Sequence, residues 1–294
     1  MKKILITGAN SYIGTNFEIW LHHWPDKYLI HTIDMKSVEW QDHDFSFYDV
    51  VFHVAGIVHD KKNKNNANLY DSINNKMACD VFEKSSTAKV SQFIIMSSAA
   101  VYSQNDKNQK RININSQSFC HPTTLYGKSK MNAENNILAY KKSISSTSKI
   151  AILRPPMVYG KKAKGNYQLL SLAARTLAFF PKIDNCRSMI YIDNLCEFIR
   201  LIIENQSEGV FLPQNREYVN TSCMVETISK CIGKKIILTR FFNPLIWIAG
   251  YFFNIINKTF GSFTFDQHDF KYFDWDYCVV DFEKSILMSE SKPM

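Results

Sequence analysis

The chain is 294 residues long and 46% hydrophobic, and its 35 lysines and arginines exceed its 27 carboxylates for a formal net charge of +8. This content builds a real core in one large α/β unit or two modest domains, and the charge suits phosphates or acidic lipid, while scattered lysines with no aromatic–basic motif speak against nucleic acid. The seven cysteines (79, 120, 186, 196, 223, 231 and 278) contain no CxxC pair, and His53 and His59 lack partners, which argues for a reduced, intracellular, cytoplasmic protein without a metal.

KKILIT (2–7) reads as a buried strand. Its apolar run, Ile4-Leu5-Ile6, is too short for a signal peptide. The spacing predicts a helix over 14–23, ending before Pro25. LIHTID (29–34) and DVVFHVAG (49–56) read as the next strands, and KKNKNN (61–66) as a solvated loop. A helical pattern over 70–86 precedes the strand QFIIMSS (92–98). A polar loop, 103–121, leads to a helix near 123–141 and then to the strand KIAILRP (149–155). Strands alternating with helices imply a parallel sheet with helices on both faces. Such sheets bind ligands at the carboxyl ends of their strands, so Thr7, Asp34, Gly56, Ser98 and Pro155 share one rim.

Beyond residue 160, helices are expected near 165–179, 193–205 and 222–232, and strands near 187–192, 209–213 and 235–240. The domain division expected is 1–160 and 161–294, with 187–213 returning to the first domain. PLIWIAGYFFNIIN (244–257) is strongly apolar but too short to span a bilayer. It reads as a core or dimer-face helix, or as a segment making peripheral contact with a membrane interface.

Thr7-Gly8-Ala9-Asn10-Ser11-Tyr12-Ile13-Gly14 lies between the first strand and the first helix. A helix start presents unpaired N–H groups and a partial positive charge, which favour an anion. Gly8 permits a tight turn, and Gly14 lets the helix pack close to the sheet. Ser11 stands where a third glycine is expected and is small enough for close approach. Asp34, twenty residues after Gly14, can accept hydrogen bonds from a ribose diol and would repel a 2′-phosphate. That favours NAD over NADP.

Of fourteen tyrosines, only Tyr126 has a lysine four residues downstream. In a helix Tyr126 and Lys130 share a face. A free phenol titrates near ~10, and a neighbouring ammonium together with an oxidised nicotinamide ring favours its anion. Such a phenolate can take a proton from a sugar hydroxyl. MSSAAVY (96–102) ends a strand at the same rim and supplies Ser97 and Ser98 to orient that oxygen.

TGANSYIG (7–14), FHVAG (52–56), MSSAAVY (96–102), YGKSK (126–130), RPPMVYG (154–160) and RSMIYIDNL (187–195) together resemble the extended short-chain dehydrogenase/reductase family, in its sugar-nucleotide epimerase/dehydratase branch. The resemblance implies an α/β fold: a Rossmann-type doubly wound parallel sheet with a smaller C-terminal α/β substrate-binding lobe. It implies NAD as cofactor, held by Gly8, Ser11, Tyr12, Ile13 and Gly14 at the pyrophosphate, Asp34 at the ribose, Asp44 beside the adenine, and Ala55, Gly56 and Pro155 along the ring. Ser98, Tyr126 and Lys130 match the catalytic triad, with Lys130 also bonding the nicotinamide ribose. Asn74, Asn166 and Arg187 match substrate-side groups. Relatives usually pair through four helices that include the Tyr126 helix, which implies a homodimer.

Two departures narrow the reaction. Dehydratases of this family carry Asp-Glu directly after the triad serine or threonine, where this chain has Ala99-Ala100. Many epimerases have a second phosphate-binding arginine late in the chain, but here none follows Arg240, although lysines such as Lys258 and Lys271 remain. The expected reaction is C4 epimerisation of a UDP-hexose or UDP-N-acetylhexosamine for surface polysaccharide. The alternatives are an NAD(P)H-dependent 4-ketoreductase of a UDP-4-keto-deoxy sugar, or an epimerase of a polyprenyl-diphosphate sugar.

Overall fold

The computed structural model describes residues 1–58, 66–102, 111–115, 117–241, 243–244, 246, 259–267 and 275–291. His59, the solvated loop 61–65, most of the apolar stretch 244–257, Lys258 and Lys271 lie outside the described residues.

In chain order the strands are β1 (Lys2–Thr7), β2 (Tyr28–Ile33), β3 (Val50–His53), β4 (Gln92–Met96), β5 (Arg111–Ile114), β6 (Lys149–Leu153), β7 (Met157–Tyr159), β8 (Phe179–Pro181), β9 (Met189–Tyr191), β10 (Gly209–Phe211), β11 (Ile237–Thr239) and β12 (Ser262–Phe265). The α-helices are α1 (Tyr12–Leu21), α2 (Ala67–Asp71), α3 (Met77–Thr87), α4 (Leu125–Ser143), α5 (Asn166–Thr176), α6 (Ile192–Glu204), α7 (Thr221–Cys231) and α8 (Phe282–Glu290). The chain divides into two compact units. The first is Met1–Tyr102, Phe119–Pro155 and Cys196–Pro213, and the second is Ser103–Ser118, Pro156–Leu195 and Gln214–Met294.

In the first unit, six strands form one parallel sheet in the order β2-β1-β3-β4-β6-β10. This is the doubly wound α/β arrangement that the alternation predicts. Alternate residues of each strand leave by opposite faces, and both faces are covered. On one, Val51, Phe93, Ile95, Ile150 and Ile152 pack with Ala78, Val81, Phe82, Ala133 and Ile137 from α3 and α4. On the other, Phe52 meets Phe17 of α1 edge-on at 5.3 Å. Each fully buried side chain of this size is worth about 1.5–3 kcal/mol, well above any helix propensity, so packing decides where the helices sit. Gln92, buried on β4, donates to the carbonyls of Ile202 and Ser207 at 3.1 and 2.9 Å, which ties α6 and its following turn to the sheet.

In the second unit, β5 pairs with β12, β7 with β9 and β8 with β11, all in parallel. β5, β7, β8, β12 and α8 have no counterpart in the sequence-based expectation. A three- or four-residue strand shows too little alternation to be read. The helix expected to run to 179 stops at Thr176, and Phe179–Pro181 is extended instead.

Two local features place the rim residues. Between α2 and α3, residues Ser72–Lys76 form a π-helical turn, which brings both Asn74 and Asn75 to buried positions. Helix α4 is capped by Thr124, whose Oγ1 accepts the Gly127 N–H at 3.0 Å, and it carries Lys141 and Lys142 in its last turn. Its buried face is Gly127, Ser129, Lys130, Ala133, Glu134 and Ile137, more polar than a core helix needs.

Gly127 lies against the turn that follows β4. A Cβ there would stand 2.2 Å from the Ala100 carbonyl oxygen and 3.0 Å from Pro122 Cβ. Glycine to alanine inside a helix ordinarily stabilises by about 0.5–1 kcal/mol. Here the backbone clash outweighs that gain. Gly127→Ala is expected to destabilise the chain by about 1–3 kcal/mol in urea unfolding, because α4 must back away from the turn.

Candidate active site

The turn after β1 is built around its glycines. Gly8 has φ 124°, and a Cβ on it would lie 2.8 Å from the Ala55 nitrogen. The turn's amides are anchored: Gly8 and Ala9 N–H donate to the Ile33 carbonyl at 3.0 and 2.9 Å. Ser11 caps α1, its Oγ accepting the Gly14 N–H at 3.1 Å. No described residue accepts the Ile13 N–H, which therefore remains for an anion at this helix start. Asp34 follows β2, is exposed, and accepts the Lys36 N–H on one carboxylate oxygen at 3.0 Å. Its other oxygen carries no hydrogen bond from a described residue. The Ile13 amide at the helix start and a carboxylate at the next strand end fit the pyrophosphate and ribose of a dinucleotide.

Ala55 and Gly56 continue from β3 along the same rim, and the Ala55 N–H donates to the Thr7 carbonyl at 2.9 Å. Above Gly56 there is no room for a side chain: a Cβ would meet Asn74 Oδ1 at 2.8 Å and Lys130 Nζ at 3.2 Å. Pro155 is buried, and its carbonyl accepts the Ala99 N–H at 2.9 Å, which joins the ends of β6 and β4. Asp44 is exposed, and its oxygens accept the Ser46 N–H at 2.8 Å and the Ser46 hydroxyl at 2.9 Å. Those two bonds, the backbone one first, hold its carboxyl below the usual range.

At the end of β4 the two serines part. Ser97 is buried and its hydroxyl donates to the Glu134 carboxylate. Ser98 is half-buried, accepts the Ala100 N–H at 3.1 Å, and its hydroxyl acts to lower the Tyr126 phenol. Lys130, one helical turn after Tyr126, is buried, and its Nζ donates to the Met96 carbonyl at 2.8 Å. Ser98, Tyr126 and Lys130 are thus assembled around the end of one strand, with Gly56 beside the amine.

The electrostatics differ from the expectation drawn from the i, i+4 spacing. Burial pushes the Tyr126 phenol above its ordinary value, the Ser98 hydrogen bond pulls it down, and Tyr70 pushes it up. Lys130 is not among these causes. Its own amine is lowered to about 8 by burial, against which Glu134 acts in the other direction. In the chain alone, then, the phenol keeps its proton.

Asn74, matched to a substrate-side group from the sequence, has its amide committed inside the protein. Oδ1 accepts the Ile57 N–H at 2.8 Å, and Nδ2 donates to the Ile57 carbonyl at 2.9 Å and to Ser129 Oγ at 3.0 Å. Ser129 in turn donates to the Tyr126 carbonyl at 2.9 Å. Asn74 therefore braces the Gly56–Ile57 loop against α4. Sequence reasoning also missed Glu134 and Arg154. The guanidinium Nε lies 3.2 Å from both Glu134 oxygens, Nη2 contacts Oε2 at 2.5 Å, and Nη1 donates to the Tyr102 hydroxyl at 2.8 Å. The available signal was spacing, since Glu134 follows Lys130 by four. His53 is buried, its Nδ1 is 2.7 Å from Thr7 Oγ1, and burial lowers it to about 3, so it is neutral.

Asn166 and Arg187 belong to the second unit. Asn166 opens α5 after Gly165, which has φ 83°. Arg187 donates from Nη1 to the Gly261 carbonyl at 2.7 Å. Burial lowers its guanidinium to about 10, and no carboxylate partners it among the described residues. A cation so placed suits an anionic ligand.

Comparison with known proteins agrees with this geometry. Residues 4–213 match the family described as the NAD dependent epimerase/dehydratase family. The chain is 26% identical over 278 residues to N-acetyl-alpha-D-glucosaminyl-diphospho-ditrans,octacis-undecaprenol 4-epimerase of Escherichia coli O157:H7, which covers 88% of this chain and 81% of that relative. It is 27% identical over 256 residues to UDP-glucose 4-epimerase of Vibrio cholerae, covering 79% of this chain and 76% of the relative. Among solved structures, UDP-glucuronic acid 4-epimerase from Bacillus cereus in complex with NAD superposes with a TM-score of 0.73 at 18% identity, covering 98% of this chain and 97% of the other, a likeness of fold. The family match extends over more than half of the sequence, and the chain belongs to the NAD-dependent epimerase/dehydratase family of enzymes.

Proposed function

We propose that the chain is an NAD-dependent C4 epimerase of a hexose or N-acetylhexosamine carried on a diphosphate, with UDP as the first carrier to test. The observation that carries the reading is the gathering of Ser98, Tyr126 and Lys130 at the end of β4 beside Gly56, with the Lys130 Nζ donating to the Met96 carbonyl at 2.8 Å. The same reading makes the enzyme a cytoplasmic homodimer that serves surface polysaccharide synthesis.

When bound, NAD would supply reversible oxidation at C4. The chain's own residues do the rest. The turn Gly8–Gly14 and the Ile13 amide hold the pyrophosphate, Asp34 the adenosine ribose, and Lys130 the nicotinamide ribose. Asp44 lies on the adenine side, and Ala55, Gly56 and Pro155 line the ring. Ser98 orients the C4 hydroxyl, and Tyr126 takes its proton and later returns it. Because burial raises the phenol in the chain alone, the positive charge needed to draw off its proton arrives with the oxidised cofactor. Arg187 and Asn166 would meet the diphosphate side of the substrate. Ala99-Ala100 leave no acid–base pair beside Ser98 for water elimination.

A second reading has the sugar on a polyprenyl diphosphate. The name of the Escherichia coli relative favours it, as does the uncharged run between Arg240 and Lys258.

A panel of UDP-sugars and one polyprenyl-diphosphate sugar, read for C4 configuration by NMR without added cofactor, decides between carriers. Inversion at C4 is expected. Stoichiometric NADH consumption with a 4-keto sugar, and no inversion, would replace the epimerase by a ketoreductase. Tyr126→Phe is expected to cut turnover by about 10²–10⁴-fold while NAD affinity, measured by calorimetry, changes little. Unchanged turnover would sink the mechanism. Lys130 gives a pH signature in the cofactor-free chain. Its folded value near 8 lies below the 10.5 of the free side chain, so the unfolded chain binds more protons between these values. Stability from this group therefore rises with pH across that window, by up to about 3 kcal/mol. Urea unfolding of the wild type should show this rise relative to Lys130→Met.

A further inference from the structure

The second unit carries a small two-stranded sheet with one bare face. β8 and β11 run in parallel with Phe179 opposite Ile237, and the next pair is Phe180 opposite Leu238. Phe180 is buried and packs on Phe260 at 5.9 Å, so that side of the sheet faces the unit's core. The other side does not: Phe179 is 53% exposed, Ile237 49% and Leu177, two places before Phe179, 44%. Phe241, just beyond β11, is 80% exposed. Isolated exposed apolar residues are ordinary, whereas neighbouring ones on a single face mark a docking surface.

The charge around this face says what covers it. The segments 177–183 (LAFFPKI) and 234–241 (KKIILTRF) contain Lys182, Lys234, Lys235 and Arg240 and no carboxylate, and a single exposed carboxylate, Asp184, follows the first. Lys182, Lys235 and Arg240 are exposed. Lys235 lies two residues before β11 begins at Ile237. Lys182 and Arg240 follow the two strand ends, where the Lys182 N–H donates to the Thr239 carbonyl at 2.8 Å. Apolar side chains ringed by cations complement a bilayer with anionic headgroups, whose acyl boundary takes the former and whose surface takes the latter. A protein partner would have to supply both an apolar patch and a matching acidic rim. The chain leaving β11 also has no charged residue from Phe241 to Asn257, so the apolar character continues along the sequence.

We propose that the β8–β11 face, centred on Phe179 and Ile237 and rimmed by Lys182, Lys235 and Arg240, docks the enzyme peripherally on an anionic lipid bilayer. This is independent of the sugar and of its carrier.

Sedimentation of the full chain with vesicles tests it. Binding to phosphatidylcholine vesicles containing about 30% phosphatidylglycerol is expected to exceed binding to pure phosphatidylcholine by about tenfold or more, since each surface cation adds about fivefold. Phe179→Ser with Ile237→Ser should lower binding to the anionic vesicles by about tenfold. Lys182→Glu, Lys235→Glu and Arg240→Glu together should bring it down to the level on neutral vesicles. Thermal melting and turnover of a water-soluble substrate, expected unchanged, show that the variants are folded. No binding by the unaltered chain, or binding by both variants equal to that of the unaltered chain, overturns the proposal. So does a Phe179/Ile237 variant that loses self-association but keeps its vesicle binding, because the face would then join two copies of the chain.

Discussion

Helix α4 lies so close to the end of β4 that the Gly127 backbone leaves no space for a methyl group against the Ala100 carbonyl. Three successive turns of the helix then engage the same strand end. Tyr126 meets Ser98, Lys130 reaches the Met96 carbonyl, and Glu134 takes the Ser97 hydroxyl. A period of four on an α-helix keeps these three side chains on one face, and a glycine beside the first lets that face approach. The Tyr126 phenol is therefore positioned by backbone packing more than by any single contact of its own.

The charges at this contact are arranged in layers. Glu134 and Arg154 form a buried pair whose remaining bonding capacity is met by Ser97 and Tyr102. A buried pair adds little net stability, but removing one partner is costly, so the pair holds the ends of β4 and β6 and the third turn of α4 in one arrangement. Lys130 lies between that pair and the rim. Its ammonium has a carbonyl for a partner and is easily deprotonated, and the phenol one turn earlier is reluctant to ionise. In the chain alone the Tyr126 phenol thus keeps its proton, and on the proposed reading the charge of the oxidised cofactor would draw it off.

Much of this was legible in the sequence, for a physical reason. The phosphate turn, Asp34 and the Tyr126–Lys130 pair depend on short-range spacing, which side-chain direction converts directly into geometry. The parallel sheet followed from alternation of buried strands with helices. What escaped reading depends on contacts distant in sequence. Asn74 acquires its role only when a π-helical turn aims it at Ile57 and Ser129. Arg154 finds Glu134 only once β6 lies beside β4. Helix α4 itself has weak apolar periodicity because its buried face carries a lysine and a glutamate where leucines would ordinarily stand. The ammonium–phenol coupling failed for the same reason: spacing shows proximity but not the carbonyl to which the ammonium turns.

The first unit closes with a segment made late. β10 is the edge strand beside β6, and α6 brings the buried Phe198, Ile199 and Ile202 from the same returning segment. On the ribosome, β1 through β6 emerge first, and Pro156–Leu195 of the other unit must be synthesised before Cys196–Pro213 appears. At ordinary elongation rates the nascent sheet therefore waits on the order of a few seconds with an open β6 edge. During that interval it is a template for strand addition by a neighbouring chain, so chaperone occupancy should concentrate on nascent chains that have passed β6 and not yet reached β10.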